Sequence, residues 1–265
     1  MNTSMTIQHI TSILFLLMMC IVRLAAALSL TPVFAKQYIM GMGRNVVIFA
    51  MALPVFHVIY PTLPSMETLP VLVVILIICK EVIIGALLGY LSGFIFYVTD
   101  SVGFVIDIQR GSSQAMTFDP VAGSQTSLLG SFLTQMIATL FFTMGGFLFF
   151  IGVVYKTYVI WPVFTFFPTF NVNFPAFMMS FVDEIMEVVF CFSAPILIVL
   201  FLAEFGLGMI SRFAPQLNVF FMAMPVKSWL SMFFLFFYFS LLGKLFHYYF
   251  FTQSKLSFFI NHFFK

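Results

Sequence analysis

The run over residues 7–30 constrains this chain most: at ~1.5 Å per residue it is long enough to span a hydrocarbon core of ~30 Å. Arg23 lies inside it, and Thr31-Pro32 ends it. No basic segment precedes the run, and it continues past Ala25 to Ala27, so it reads as a retained first helix rather than a cleaved leader. Comparable runs recur. Residues 46–60 are interrupted by Pro54 and are short for a spanning helix, whereas residues 71–98 are over-long and are divided in two by the adjacent Lys80 and Glu81. Residues 128–155 carry a weak point at Gly145-Gly146. Residues 185–203 start beside Asp183, Glu184 and Glu187, and residues 228–265 are dominated by phenylalanine. Water is not the main solvent of such a chain, since 62% of it is hydrophobic and 8% charged, against about 25% charged in soluble domains.

Between these runs, Pro61, Pro64 and Pro70 mark a loop, and the proline- and phenylalanine-rich residues 161–175 read as an irregular apolar connection. Like charges at i and i+4 repel, so the acidic group at 183–187 should face water or a cationic partner. Lys and Arg are divided among nearly all the interruptions, which leaves orientation open, and no repeat of fixed period is present. Short or broken apolar segments with charges between them fit a bundle held by other protein better than a row of lipid-facing helices. The fold class expected is therefore all-α and membrane-integrated, with residues 1–265 as a single domain.

Several functions find no support. The net charge of +2 is spread out and offers no nucleic-acid face. Cys20, Cys79 and Cys191 are odd in number, lie in apolar runs and have no metal spacing, so they read as small buried hydrophobes. His9, His57, His247 and His262 sit near segment ends without ligand spacing. Asp100 and Asp107 share a helical face but are ~10 Å apart on it, too far for a carboxylate dyad. No GxSxG and no phosphate loop occur. No enzyme, cofactor or metal is expected.

Three constellations remain. Gly85, Gly89 and Gly93 lie near one helical face and admit close approach of another backbone, either within the chain or from another subunit. The polar stretch 101–127 cannot lie against lipid without unsatisfied groups costing several kcal/mol each. It is either a solvated loop outside the bilayer or a segment lining or blocking a conduit, with Gly111, Ser112 and Ser113 leaving it displaceable. Glu204 and Arg212 are ~12 Å apart on a continuous helix, so each needs its own partner. Gly206, Gly208, Pro215 and Pro225 admit a broken helix there, as in secondary transporters. A polytopic secondary transporter is the rival reading, against which stands the lack of an inverted repeat.

The run Asp107-Ile-Gln109-Arg110-Gly111, then Asp119-Pro120, Leu129-Gly130 and Phe141-Phe142 before Gly145-Gly146, resembles the SctT/FliR family of type III secretion export apparatus proteins. So do Glu204-Phe-Gly-Leu-Gly208, the stretch from Arg212 through Ala-Pro-Gln-Leu-Asn-Val-Phe to Phe221, and Met224-Pro225-Val-Lys227. The likeness covers essentially the whole chain and is nearer to the injectisome branch than to the flagellar one.

The resemblance implies long broken helical hairpins packed with R-type and S-type subunits into a spiral heteromeric export gate. One copy per assembly would sit in the bacterial inner membrane at the base of the secretion needle, and would not be a homo-oligomer. U-type and V-type components are implied nearby, with unfolded secreted proteins as cargo. It implies a plug loop at about 109–120, comprising Gln109, Arg110, Gly111, Ser112, Ser113, Gln114, Ala115, Met116, Asp119 and Pro120. Subunit packing is expected at Gly85, Gly89, Gly93, Glu204, Arg212, Pro215, Gln216 and Asn218.

Overall fold

The computed structural model describes residues 2–34, 41–60, 70–111, 117–119, 124–164, 174–214 and 219–249. In chain order the helices are α1 (Asn2–Leu30), α2 (Gly41–Ile59), α3 (Val71–Ser92), α4 (Phe94–Arg110), α5 (Leu128–Thr143), α6 (Gly146–Ile160), α7 (Phe174–Phe213) and α8 (Val219–His247). A 3-10 turn, Pro32–Phe34, follows α1. Helices dominate as the apolar runs predict, and the extended structure among the described residues is one short hairpin inside the polar stretch. Its strands, β1 (Thr117–Asp119) and β2 (Ser124–Thr126), pair antiparallel with Phe118 opposite Gln125. Alpha-helices α1, α3, α7 and α8 contain stretches long and apolar enough to cross a membrane, and α5 with α6 add a fifth if their break is counted within one span.

The chain forms two compact units. The first comprises Met1–Gly93, Gly145–Phe174 and Gln253–Lys265; the second comprises Phe94–Met144 and Pro175–Thr252.

In the first unit α1 and α3 pack closely because two glycines leave room for it. A Cβ on Gly85 would lie 2.3 Å from the Arg23 carbonyl oxygen, and one on Gly89 would lie 2.3 Å from that of Ala27. Both obstacles are backbone, so a side chain at either position must force the helices apart. Of the two partners open to the glycine face, these two positions meet one within the chain. Leu16, Cys20, Leu24 and Leu28 of α1, each four residues after the last, and Ala27 beside them, are buried together with Ile84 and Leu88 of α3. Gly93 has a different role, as the C-cap of α3, donating its N–H to the Gly89 and Tyr90 carbonyls.

Helix α3 does not divide at Lys80 and Glu81 but runs through them to Ser92. The charges find partners inside the unit, so the backbone has no need to break where the composition does. Helix α2 likewise runs through Pro54, and it begins at Gly41, ahead of the apolar run at 46–60. The Tyr155 hydroxyl donates to the Met51 carbonyl at 2.9 Å, tying α6 to α2.

In the second unit α4 and α5 cross at a glycine pair: a Cβ on Gly103 would lie 2.3 Å from the Gly130 nitrogen and 2.4 Å from its Cα. Below the crossing, Phe96 meets Phe141 edge to face with centroids 5.6 Å apart. Helix α7 continues through Pro195, Gly206 and Gly208 to Phe213, so the break expected in this region comes after the glycines rather than at them. Pro225 is accommodated inside α8.

Candidate functional site

The last two turns of α4 carry Asp107, Gln109 and Arg110, and the chain leaves the helix at Gly111 into the polar stretch. Asp107 is 1% exposed. Its Oδ2 accepts from the Ser127 hydroxyl at 2.6 Å and from the Leu129 amide at 3.0 Å. Its Oδ1 is 2.7 Å from Nη2 of Arg110. Ser127 is the N-cap of α5 and accepts from the Gly130 amide at 2.8 Å. The carboxylate thus sits at the positive end of α5 and uses one of its orphan amides. The residues between Asp107 and Ser127 leave and return at a single fastened neck.

A second contact holds the same neck to α7 and α8. Lys227 Nζ donates to Glu204 Oε2 at 2.7 Å and to the Gln109 carbonyl at 3.2 Å. The Gln109 side-chain amide donates weakly to the same Glu204 oxygen, at 3.5 Å. One turn before Lys227, Met224 approaches Gly111, whose φ of +84° lies in the left-handed region that favours glycine. The Gln109-Arg110-Gly111 motif and the separate Glu204 to Lys227 motif therefore meet. The sequence assigns Glu204 a partner of its own without naming it; the structure supplies Lys227.

Other expected site residues fall elsewhere. Asp119 lies in β1, opposite Ser124. Arg212 is exposed in the last turn of α7. Ser112, Ser113, Gln114, Ala115, Met116, Pro120, Pro215, Gln216 and Asn218 lie outside the described residues. Asp100 stands two turns before Asp107 on α4, its Oδ1 2.8 Å from where a Cβ on Gly130 would sit. Loss of hydration against α5 raises its carboxyl above the usual carboxylate range, although the residue as a whole stays exposed. No group of three potential ligands suited to a metal occurs among the described residues.

A second polar cluster among the described residues was not assembled by the sequence. Arg23, Lys80 and Glu81 are 0%, 3% and 0% exposed, deep in the first unit. Arg23 forks onto Glu81, with Nε to Oε2 at 2.6 Å and Nη2 to Oε1 at 2.8 Å. It also donates to the Thr157 hydroxyl at 3.2 Å and to the Trp161 carbonyl at 3.1 Å, and its guanidinium lies 4.1 Å from the Tyr158 ring centroid. Lys80 Nζ donates to the Val163 carbonyl at 2.6 Å and the Pro162 carbonyl at 3.3 Å. Alpha-helices α1, α3 and α6, and the chain leaving α6, are pinned at one point. Arg23 and the Lys80-Glu81 pair each stand out in an apolar run, but nothing in the sequence joins residues 58 positions apart.

Known proteins resemble this chain over most of its length. The family described as Bacterial export proteins, family 1, matches residues 14–252. Yop proteins translocation protein T of Yersinia pestis is 40% identical over 209 residues, 78% of either chain. Surface presentation of antigens protein SpaR of Salmonella typhimurium is 29% identical over 221 residues, 82% of this chain and 80% of that one. Flagellar biosynthetic protein FliR of Bacillus subtilis is more distant, at 28% over 207 residues, 78% of this chain and 79% of that one.

Proposed function

The chain belongs to the Bacterial export proteins, family 1, the SctT/FliR family of type III secretion export apparatus proteins, and from that premise we propose that it is a structural and gating subunit of the export gate. In this reading it is not an enzyme. One copy joins R-type and S-type subunits, with U-type and V-type components nearby, around a conduit for unfolded secreted proteins in the bacterial inner membrane at the needle base.

The observation that most supports protein rather than lipid as the main neighbour is the length of α7. Large exposed apolar side chains run along it from Met179 through Phe190, Phe201 and Phe205 to Phe213. Those 34 steps (213 − 179) cover ~51 Å of helix, against a hydrocarbon core of ~30 Å. Lipid covers part of such a face, and the remainder calls for other protein. Exposed Asp183 and Glu187 within the same helix argue likewise against a face wholly in lipid.

The gating role is supported by the neck. The polar segment is fastened at both ends, where Asp107 meets Ser127, and its start is held again by Lys227 at the Gln109 carbonyl. Such a segment suits a stopper, and the plug is assigned to residues 109–120. Deleting Gly111 to Met116 is expected to raise ion leakage across the inner membrane in the resting, non-secreting state, at unchanged levels of the assembled apparatus. Unchanged sealing would remove the plug assignment.

A further inference from the structure

We infer that Lys227 is a positioning residue for the closed gate, acting with Glu204 as a releasable latch on the end of α4. This rests on the gating reading above and adds to it the contact that gives way first. The last carbonyls of a helix have no partner within it, and a cation is favoured there by the helix dipole. At the end of α4 the Gly111 amide turns back to the Ile108 carbonyl at 3.0 Å, and the Gln109 carbonyl is taken by Lys227 Nζ at 3.2 Å. Glu204 holds that ammonium in place from the other side, at 2.7 Å.

The two restraints on the neck differ in kind. Asp107 is buried, and its release would strand Ser127, Leu129 and Arg110 together. The Glu204 side chain is 54% exposed and Lys227 9%. An ion pair with one solvated member is worth much less than a buried one, and water can replace either partner as it opens. When the α4 end moves relative to α7 and α8, the Glu204–Lys227–Gln109 contact opens and the Asp107 staple stays closed. Because Lys227 grips a backbone carbonyl, the latch depends on the charge at position 227.

The test compares Lys227→Met, Lys227→Arg, Glu204→Gln and the Gly111 to Met116 deletion in cells carrying the full apparatus. Resting inner-membrane leakage is read per assembled complex, with assembly followed on native gels. Lys227→Met is expected to leak about two- to fivefold more than wild type, the range of a partly exposed ion pair. Glu204→Gln should move the same way, while Lys227→Arg restores sealing. Wild-type sealing in both Lys227→Met and Glu204→Gln, with the deletion leaking, overturns the latch and leaves the plug standing. A deletion that seals overturns the plug instead. Failure of both Lys227→Met and Glu204→Gln to assemble would make the contact a structural one and likewise overturn the latch, as would Lys227→Arg leaking as much as Lys227→Met.

Discussion

Arg23→Met is expected to destabilise the protein by about 3–5 kcal/mol, the cost of leaving a buried charge without its partner. Glu81 would lose two charge-assisted hydrogen bonds at 2.6 and 2.8 Å, and the Thr157 hydroxyl and Trp161 carbonyl would each lose a donor. Lys80, 3.3 Å from Glu81 Oε1, is committed to the Pro162 and Val163 carbonyls and cannot swing to cover both oxygens. Thermal unfolding of the assembled complex in detergent should show the loss. A double-mutant cycle with Glu81→Gln gives the sharper result: the pair together should cost clearly less than the sum of the singles. Additive losses would show that the two side chains do not depend on one another.

Asp107→Ala is expected to cost about 3 kcal/mol or more, since it strands the Ser127 hydroxyl, the Leu129 amide and the Arg110 guanidinium at one buried point. Asp107→Asn keeps an acceptor oxygen for the α5 end and should lose less. The difference is measurable as the amount of assembled complex and as protease cleavage within residues 108–126, which should rise sharply only for alanine. Equal behaviour of the two variants would mean that the staple does not hold the neck.

Asp107 and Arg23 also show what the sequence could and could not convey. The apolar runs and the long polar stretch follow from solvation alone, so their number and order can be read directly. The QRG and MPVK motifs mark the family, and the structure adds that they touch through Gln109 and Lys227. What could not be read is where charge is satisfied by distant partners. Lys80 and Glu81 look like a division because two charges in an apolar helix are costly. Arg23, arriving from α1, removes that cost and the helix continues. Gly206 and Gly208 look like a break for local reasons, yet each alone costs only about 1 kcal/mol in a helix, and α7 runs through them to Phe213. The strand pair at 117–119 and 124–126 was hidden for the opposite reason: strands of three residues, polar but for Phe118, are too short to show an alternation of apolar side chains from which to infer them.

The central claim is that this chain works as one subunit of a heteromeric gate, and its stoichiometry tests that most directly. The chain is co-expressed with candidate R-type and S-type subunits, and the purified assembly is weighed by native mass spectrometry. The account predicts a complex in which a single copy of this chain joins several copies of the others. A free monomer, or a dimer of this chain alone, would contradict it and favour a transporter.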